Sequence, residues 1–199
     1  MSSSPVAPPA VQLTIVANAR IPGEKAHVIQ IVQMAAAFTR LFGKVRVVYP
    51  RRANTDAMRA VSDPFDYYDV PRDFGLVGLP CVDAVKRVTI DWPSLNRFPI
   101  PLIAHLLQLW TFALSAFLFV ARLPGGVIYS RDLFVLTVLG LLSRHRDRIF
   151  VFEVHTLPRS GAARRLHLWA ARRADAIVAI SDHLRDWYRD RGFDPARLL

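Results

Sequence analysis

Short apolar runs alternate with longer segments of helical spacing along this chain, and this alternation constrains the fold more than any other feature. The first run covers residues 12–18 and is rich in β-branched side chains, as buried strands are. Similar runs follow at residues 45–49, 75–79, 85–90, 127–129, 149–154 and 176–180. Strands that alternate with helices form a parallel sheet covered on both faces. We therefore predict an α/β fold, a Rossmann-like parallel sheet flanked by helices.

The segments between these runs carry the spacing and the end signals of helices. Apolar residues recur at helical spacing from Val28 to Phe42. Asp132 and Ser181 are predicted N-caps, because their side chains can accept a hydrogen bond from a backbone N–H of the first turn. Pro50 is predicted to stop the second strand and Gly192 the last helix. Other helices are predicted within residues 51–68 and over residues 101–122, 133–142 and 162–173, and residues 194–199 lead towards a further strand.

Arginine supplies most of the charge of this chain. The 199 residues carry a net charge of +10, with 23 arginines and three lysines. A surplus of this size favours anionic partners such as phospholipid surfaces or phosphorylated ligands. Nucleic acid is not an expected partner, because the arginines are scattered and no helix-turn-helix, zinc-finger or RNA-recognition pattern occurs. An excess of arginine without a functional role is the alternative.

The single cysteine, Cys81, excludes an internal disulfide framework and a multi-cysteine zinc site. Residues 1–11 are predicted to be a flexible tail, because they lack the basic and long apolar regions of a signal peptide. We therefore expect a cytoplasmic protein, with the inner face of the membrane as the alternative location.

The longest apolar region, residues 99–123, allows two interpretations. His105 and Gln108 interrupt it and Arg122 ends it. The uninterrupted part is shorter than the about 20 apolar residues that span a bilayer. We therefore expect a buried helix packed against the sheet, and peripheral membrane contact through one exposed face of that helix is the alternative.

Chemically active side chains follow three of the predicted strands. The first strand leads into residues 19–27, which hold two cations, a carboxylate, a histidine, a proline and a glycine. Arg131 follows a later strand, and Glu153 and His155 lie at the end of the next. Because the carboxyl ends of parallel strands meet at one edge, we expect these segments to line a common cleft. Arginine there suits phosphate or carboxylate oxygens, and histidine can donate a hydrogen bond or carry a proton near neutral pH.

Each of these residues also has a structural interpretation. The first loop could be a solvated connection between a strand and a helix. Glu153 could equally pair with an arginine of a neighbouring strand, and Asp132 is expected to cap a helix rather than to act as an acid. The remaining histidines are expected to be structural or solvated: His105, His145, His167 and His183.

Several common site motifs do not occur in the sequence. There is no Gly-x-Ser-x-Gly elbow, no Gly-x-Gly-x-x-Gly fingerprint and no Gly-Lys-Ser/Thr phosphate loop. No group of His, Cys, Asp and Glu has the spacing of metal ligands. Standard hydrolases, dehydrogenases and P-loop enzymes are therefore disfavoured, and no metal site is predicted.

Four segments together resemble a known family. They are residues 20–30, 129–132, 152–155 and 174–181, and each falls on a predicted strand end or helix start. In this order they are similar to the N-terminal, acceptor-side domain of the family 4 retaining glycosyltransferases, which have the GT-B fold. The resemblance extends over residues 12–199, so the chain is expected to be the N-terminal half of a GT-B fold.

The resemblance implies transfer of a sugar from a nucleotide-sugar donor to a glycan or lipid-linked acceptor, with retention and without a metal or other cofactor. It implies that His155 lies near the reacting sugar as the catalytic residue. The implied acceptor-binding residues are Arg20, Gly23, Glu24, Lys25, His27, Arg131 and Glu153. A basic, partly apolar domain also suits a membrane-surface acceptor.

The donor-binding half of the family is expected to be absent from residues 1–199. In the family that half carries a Glu-x7-Glu motif, whereas the only glutamates here are Glu24 and Glu153. We therefore expect a half-enzyme that is inactive without a separate donor-binding domain. The alternatives are a non-catalytic module that binds a phospholipid or glycan, and a non-functional gene remnant.

Overall fold

One parallel sheet of six strands organises the part of the chain that this computed structural model describes, residues 11–84, 100–142 and 147–199. The strands are β1 (Gln12–Val16), β2 (Lys44–Pro50), β3 (Gly75–Leu79), β4 (Gly126–Ser130), β5 (Arg148–Val154) and β6 (Ala176–Ala179). The helices are α1 (Ala26–Phe38), α2 (Asp56–Arg59), α3 (Pro64–Tyr68), α4 (Ile100–Ala121), α5 (Leu133–Leu139), α6 (Gly161–Ala171) and α7 (Asp182–Arg189). Every neighbouring pair of strands is parallel, which confirms the predicted fold class.

The strand order is β3-β2-β1-β4-β5-β6. It reverses at β1, which pairs with β2 on one side and with β4 on the other. All carboxyl ends lie along the same edge, because all pairs are parallel. In sheets of this kind the crevice outside the carboxyl ends at the reversal point is where ligands bind. The topology therefore places the candidate site beside the ends of β1 and β4.

Helices cover both faces of the sheet, and the alternation of side chains along the strands explains why. Leu13 and Ile15 of β1 belong to the core cluster that contains the buried residues of α1. Val16 of β1 and Val48 of β2 belong to the cluster under α4 and α5. A third cluster fills the space between α6, α7 and the last two strands, with Tyr188 fully buried at its centre. Residues on opposite sides of a strand thus belong to separate layers of core.

Helix α4 has one face in the core and one face in solvent. Phe112, Ala113, Ala116 and Val120 are fully buried, which confirms the expected packing against the sheet. The opposite face carries six large apolar side chains that are 44–58% exposed, here named the α4 stripe: Leu102, Ile103, Leu107, Trp110, Leu114 and Leu118. The length argument against a spanning helix was wrong, since Leu102–Ala121 is long and apolar enough to cross a membrane. The interruptions in this segment are uncharged residues, which an apolar helix tolerates.

Most predicted helix ends are confirmed. The Oδ1 atom of Asp132 accepts a hydrogen bond from the Val135 N–H at 2.9 Å, so Asp132 is the N-cap of α5. Ser181 caps α7 in the same way, and Gly192 follows that helix with a φ of +76°. A side chain that bonds the first turn fixes the start of each helix.

Some predicted boundaries are wrong. Pro50 does not stop β2 but is its last residue, opposite Leu79 of β3. Helix α5 ends at Leu139 and continues as a 3-10 turn over Gly140–Leu142. Leu198 forms a single parallel bridge to Ile177 after a 3-10 turn, and the described residues contain no strand after β6. The strand predicted at 85–90 and His145 lie outside the described residues.

Candidate functional site

The loop after β1 is held in shape by a tyrosine from α3. The Tyr68 hydroxyl accepts a hydrogen bond from the Gly23 N–H at 2.6 Å and donates one to the Gly23 carbonyl at 3.0 Å. The Asn54 side chain donates to the Pro22 carbonyl at 2.8 Å. A Cβ atom at Gly23 would lie 2.5 Å from the carbonyl oxygen of Arg20, so only glycine fits this turn. These contacts give the loop after β1 a defined conformation, so it is more than a solvated connection between a strand and a helix.

Glu153, near the end of β5, accepts hydrogen bonds from three side chains. Its side chain is 6% exposed. Its Oε2 atom accepts from the Tyr129 hydroxyl and from Arg131 Nε at 2.7 Å, and its Oε1 atom accepts from His155 Nε2 at 2.6 Å. Arg131 also donates to the Gln30 side chain of α1 at 3.1 Å. The carboxylate thus fixes the positions of Arg131 and His155 at the carboxyl edge.

Electrostatics at this edge favours a neutral His27 and a protonated Tyr129. The pKa of His27 is lowered by burial and by the charges of Lys25 and Arg131. The pKa of Tyr129 is raised well above its ordinary value of 10.0, first by burial and then by the hydrogen bond to Glu153. Tyr129 is therefore a permanent hydrogen-bond donor to that carboxylate.

Three cavities lie side by side along the carboxyl edge. The first has a volume of about 560 Å³ and is lined by residues that include Arg131, Glu153 and His155. The second, about 430 Å³, is lined by the loop after β1 together with Arg52, Asn54, Thr55, Met58 and His105. A middle cavity of about 120 Å³ contains Arg131 and Asp132. His27 lines all three, so the cavities form one continuous cleft edge.

The predicted site residues are divided between two of these cavities. Arg131, Glu153 and His155 line the first cavity, and His27 lines both the first and the second. Arg20, Gly23, Glu24 and Lys25 line the second. The expected common cleft is present, but Gly23 contributes by shaping the loop, since Tyr68 uses both of its backbone polar groups.

Sequence reasoning missed several residues of the site. Arg52 follows β2 as Arg20 follows β1, and it lines the second cavity. Its position after a strand could have indicated a site residue, but residues 51–68 were predicted only as a helix and loop. His105 was expected to be structural or solvated, and it lines the second cavity. Tyr68 and Tyr129 are buried aromatic residues whose polar contacts are not visible in the sequence.

For His167, the prediction of a structural role is confirmed. It is buried, and its Nε2 atom pairs with the Tyr188 hydroxyl. His167 is also one of the residues that line the first cavity.

The sequence model described as Glycosyltransferase Family 4 matches residues 27–198, which is most of the chain. The chain belongs to this family. No curated protein is similar enough in sequence to count as a match.

Solved structures share the fold of this family 4 domain at low sequence identity. Anabaena HepE in complex with UDP-glucose is 13% identical with a TM-score of 0.56, over 95% of this chain and 43% of that one. The Escherichia coli trehalose-6-phosphate structure bound with UDP-2-fluoro glucose is 14% identical with a TM-score of 0.54, over 90% and 42%. A putative UDP-N-acetylglucosamine 2-epimerase from Listeria monocytogenes is 12% identical with a TM-score of 0.53, over 97% and 44%.

These structures show the fold of a GT-B half-domain. The chain spans less than half the length of each of the three. One of them is described as an epimerase, so the shared fold does not by itself fix the reaction. The activity of this family 4 domain therefore depends on the residues of its own cleft.

Proposed function

We propose that this chain is the acceptor-side half of a glycosyltransferase that moves a sugar from a nucleotide-sugar donor to a glycan or lipid-linked acceptor, with retention. The observation that carries the proposal is the Glu153 carboxylate, which holds Arg131 and His155 in a cavity at the carboxyl edge of the sheet. Family membership supports the reaction class, and the nucleotide sugars bound to two of the similar structures support the donor class.

In this proposal His155 is the catalytic residue. Its Nε2 atom is bonded to Glu153, and its side chain is 34% exposed in the first cavity. Because one nitrogen is fixed by a buried carboxylate, the ring has one orientation and presents its other edge to the cavity. A donor or acceptor of hydrogen bonds held in this way can stabilise charge that develops on the reacting sugar.

The acceptor is proposed to occupy the second cavity and the adjoining wall of the first. Arg20, Glu24, Lys25 and His27 line the second cavity and supply charged and polar groups on a loop that Tyr68 holds rigid. Arg131 and Glu153 form the adjoining wall. Donor contacts are proposed to come from a second domain on the other side of the cleft, without a metal or other cofactor.

Reconstitution with a donor-binding domain tests the catalytic assignment. A family 4 donor-binding domain is supplied as a fusion or a separate chain, and release of nucleoside diphosphate is measured with a panel of nucleotide sugars. We expect turnover to appear and His155→Ala to lower it by about a hundredfold or more, because one well-placed polar group is lost from the reacting centre.

The matched control for this experiment is His183→Ala, since His183 is an exposed histidine on α7. It should keep the turnover of the unchanged chain, and both variants should remain folded, as circular dichroism can check. Equal turnover in His155→Ala and the unchanged chain would reduce His155 to a structural residue.

We further propose that the domain works at the cytoplasmic face of a membrane, with the α4 stripe in contact with lipid. Large apolar side chains rarely gather on an exposed helix face of a soluble domain without a partner, and here six lie along one helix. The net charge of +10 favours a surface that contains anionic lipid. The same contact would serve the alternative function, a non-catalytic module that binds phospholipid.

Vesicle co-sedimentation tests the membrane contact. The double variant Leu107→Ser, Leu114→Ser should bind vesicles containing phosphatidylglycerol at least about fivefold more weakly than the unchanged chain. The reason is that two apolar side chains that would be buried in the lipid are replaced by polar ones. Leu41→Ser is the matched control, since Leu41 is 66% exposed and follows α1, which packs on the other face of the sheet. Equal binding of the two variants, or concentration-dependent dimers in place of vesicle binding, would contradict the proposal.

A further inference from the structure

Two arginines converge in the second cavity from neighbouring strands. Arg20 follows β1 and Arg52 follows β2, and these strands are paired in parallel, so both residues lie at the same edge. The pKa of Arg52 is lowered by burial and then by the charge of Arg20, which outweigh the opposite effect of Asp83. Two like charges that repel each other across a cavity are stable only if something compensates them.

Among the residues that the structure describes, the Nε atoms of both arginines lack a hydrogen-bond acceptor. The Arg52 side chain is 13% exposed and forms an ion pair with Asp83 at 3.5 Å, but its Nε atom makes no hydrogen bond. The Nε atom of Arg20 is buried and has no partner either. Within the described residues, Arg20 forms no ion pair and no side-chain hydrogen bond. Buried donors without acceptors are unfavourable, so a ligand that supplies oxygen atoms would be stabilised here.

The surroundings also favour an anion. Lys25 lines the same cavity and adds a third positive charge, whereas Glu24 is the only carboxylate among the lining residues that the structure describes. Helix α1 begins at Ala26, directly beside the cavity, and no side chain caps its N-terminus. The partial positive charge of a helix N-terminus adds to the attraction for an anion.

We infer that the second cavity binds a phosphoryl group, so that the acceptor of the proposed glycosyltransferase carries a phosphate. The inference rests on the proposed function and names the chemical class of its acceptor. Each guanidinium presents a planar fork of donors that matches two oxygen atoms. Two forks and a lysine suit the three or four oxygens of a phosphate better than the two of a carboxylate. The volume of about 430 Å³ leaves room for part of the alcohol that the phosphate esterifies.

Calorimetric titration of the 199-residue chain with glycerol 3-phosphate tests this inference. The titration is done in 0.15 M salt, which screens the long-range attraction of the net charge. We expect glycerol 3-phosphate to bind at least tenfold more tightly than glycerol. Arg20→Gln should weaken its binding by about tenfold or more, since a charge-assisted hydrogen bond is lost. Because Arg20 has no polar partner within residues 11–84, 100–142 and 147–199, this variant should keep the melting temperature of the unchanged chain.

Arg51→Gln is the matched control for charge. Arg51 is exposed, precedes Arg52 and does not line the cavity. It should change the affinity less than twofold. Equal weakening by Arg20→Gln and Arg51→Gln, no binding of glycerol 3-phosphate, or equal affinity for glycerol 3-phosphate and glycerate would each overturn the inference.

Two further probes separate the sources of the phosphate. Tighter binding of galactose 6-phosphate supports a soluble or glycan acceptor, and tighter binding of vesicles containing phosphatidic acid supports a lipid-linked one, provided that Arg20→Gln weakens the interaction. The titration needs no donor, so it is independent of the reconstituted transfer reaction. If the reconstituted pair transfers sugar to an unphosphorylated acceptor and the chain binds no phosphate, this inference alone is overturned. If the chain binds phosphate and the reconstituted pair transfers no sugar, the proposed function alone is overturned.

Discussion

Glu153 shows how one residue can serve the fold and the site together. Its carboxylate is buried, and one donor from β4 and two from the residues directly after β4 and β5 compensate its charge. Removing it would leave the Arg131 guanidinium without its acidic partner, which is the costly way to break a buried ion pair. The two interpretations of Glu153 that the sequence allows are therefore compatible, because the same carboxylate pairs with Arg131 and accepts a hydrogen bond from His155.

His167 gives the domain a defined dependence on pH. It is buried, and burial lowers its pKa from an ordinary 6.5 to about 4. Between these pH values the unfolded chain binds a proton that the folded chain does not. The free energy of unfolding should therefore fall as the pH is lowered from about 6.5 to about 4, by at most roughly 3 kcal/mol.

Urea unfolding at several pH values in this range measures the effect. His167→Gln should remove most of the slope, whatever its effect on stability at pH 7, whereas His183→Gln at an exposed position should keep it. An unchanged slope in His167→Gln would show that other groups titrate on unfolding.

Only part of the site was predictable residue by residue. Arg131, Glu153 and His155 could be found because each lies at a strand end or just after it, and Arg20 and His27 because they lie between the end of β1 and the first turn of α1. The support from Tyr68 could not, because it reaches Gly23 from 45 positions further along the chain. Local patterns contain no information on such a contact, which depends on how α3 packs.

At the scale of elements, Gly126 determines how closely β4 approaches β1. It opens β4 with a φ of +140°, and a Cβ atom there would lie 2.5 Å from the carbonyl oxygen of Gln12. Gly126→Ala should lower the free energy of unfolding by at least about 2 kcal/mol, because both the backbone angle and the overlap are unfavourable. Denaturant titration measures the change.

Gly161→Ala is the control for this substitution. Gly161 is the first residue of α6, and a Cβ atom there would meet nothing within 4 Å. Alanine is the better helix former, so this variant should be as stable as the unchanged chain or up to about 1 kcal/mol more stable. If both alanine variants were equally stable, the close approach of the two strands would have no energetic role.

Elements were predicted in proportion to their length and periodicity. The runs at 45–49 and 149–154 became β2 and β5, because runs rich in β-branched side chains between turn signals leave few other structures. Helices α2 and α3 have four and five residues, too few for a period to show, and they were predicted only as one short helix and a loop. The bounds of α4 were close, but its two faces follow from packing that the sequence does not specify.

At the scale of the whole molecule, this chain is proposed to supply one wall of the cleft. The similar structures are more than twice as long, and donor contacts are proposed to belong to a second domain. The purified 199-residue chain should therefore release no nucleoside diphosphate from nucleotide sugars above the uncatalysed background, since the proposed donor-binding domain that would enclose the donor phosphates is not supplied. A coupled assay for nucleoside diphosphate checks this, with the reconstituted pair as positive control, and robust turnover by the chain alone would contradict it.

The shared position of His27 gives the cleft a thermodynamic property. Its imidazole forms part of the wall of all three cavities, so a molecule in one cavity and a molecule in the next contact the same ring. A ligand that fixes the orientation or the protonation of this ring changes the affinity of its neighbour. By linkage, the neighbour changes the affinity of the first ligand by the same factor. Cooperativity between acceptor and transferred sugar would thus need no movement of the backbone, only one side chain that both ligands share.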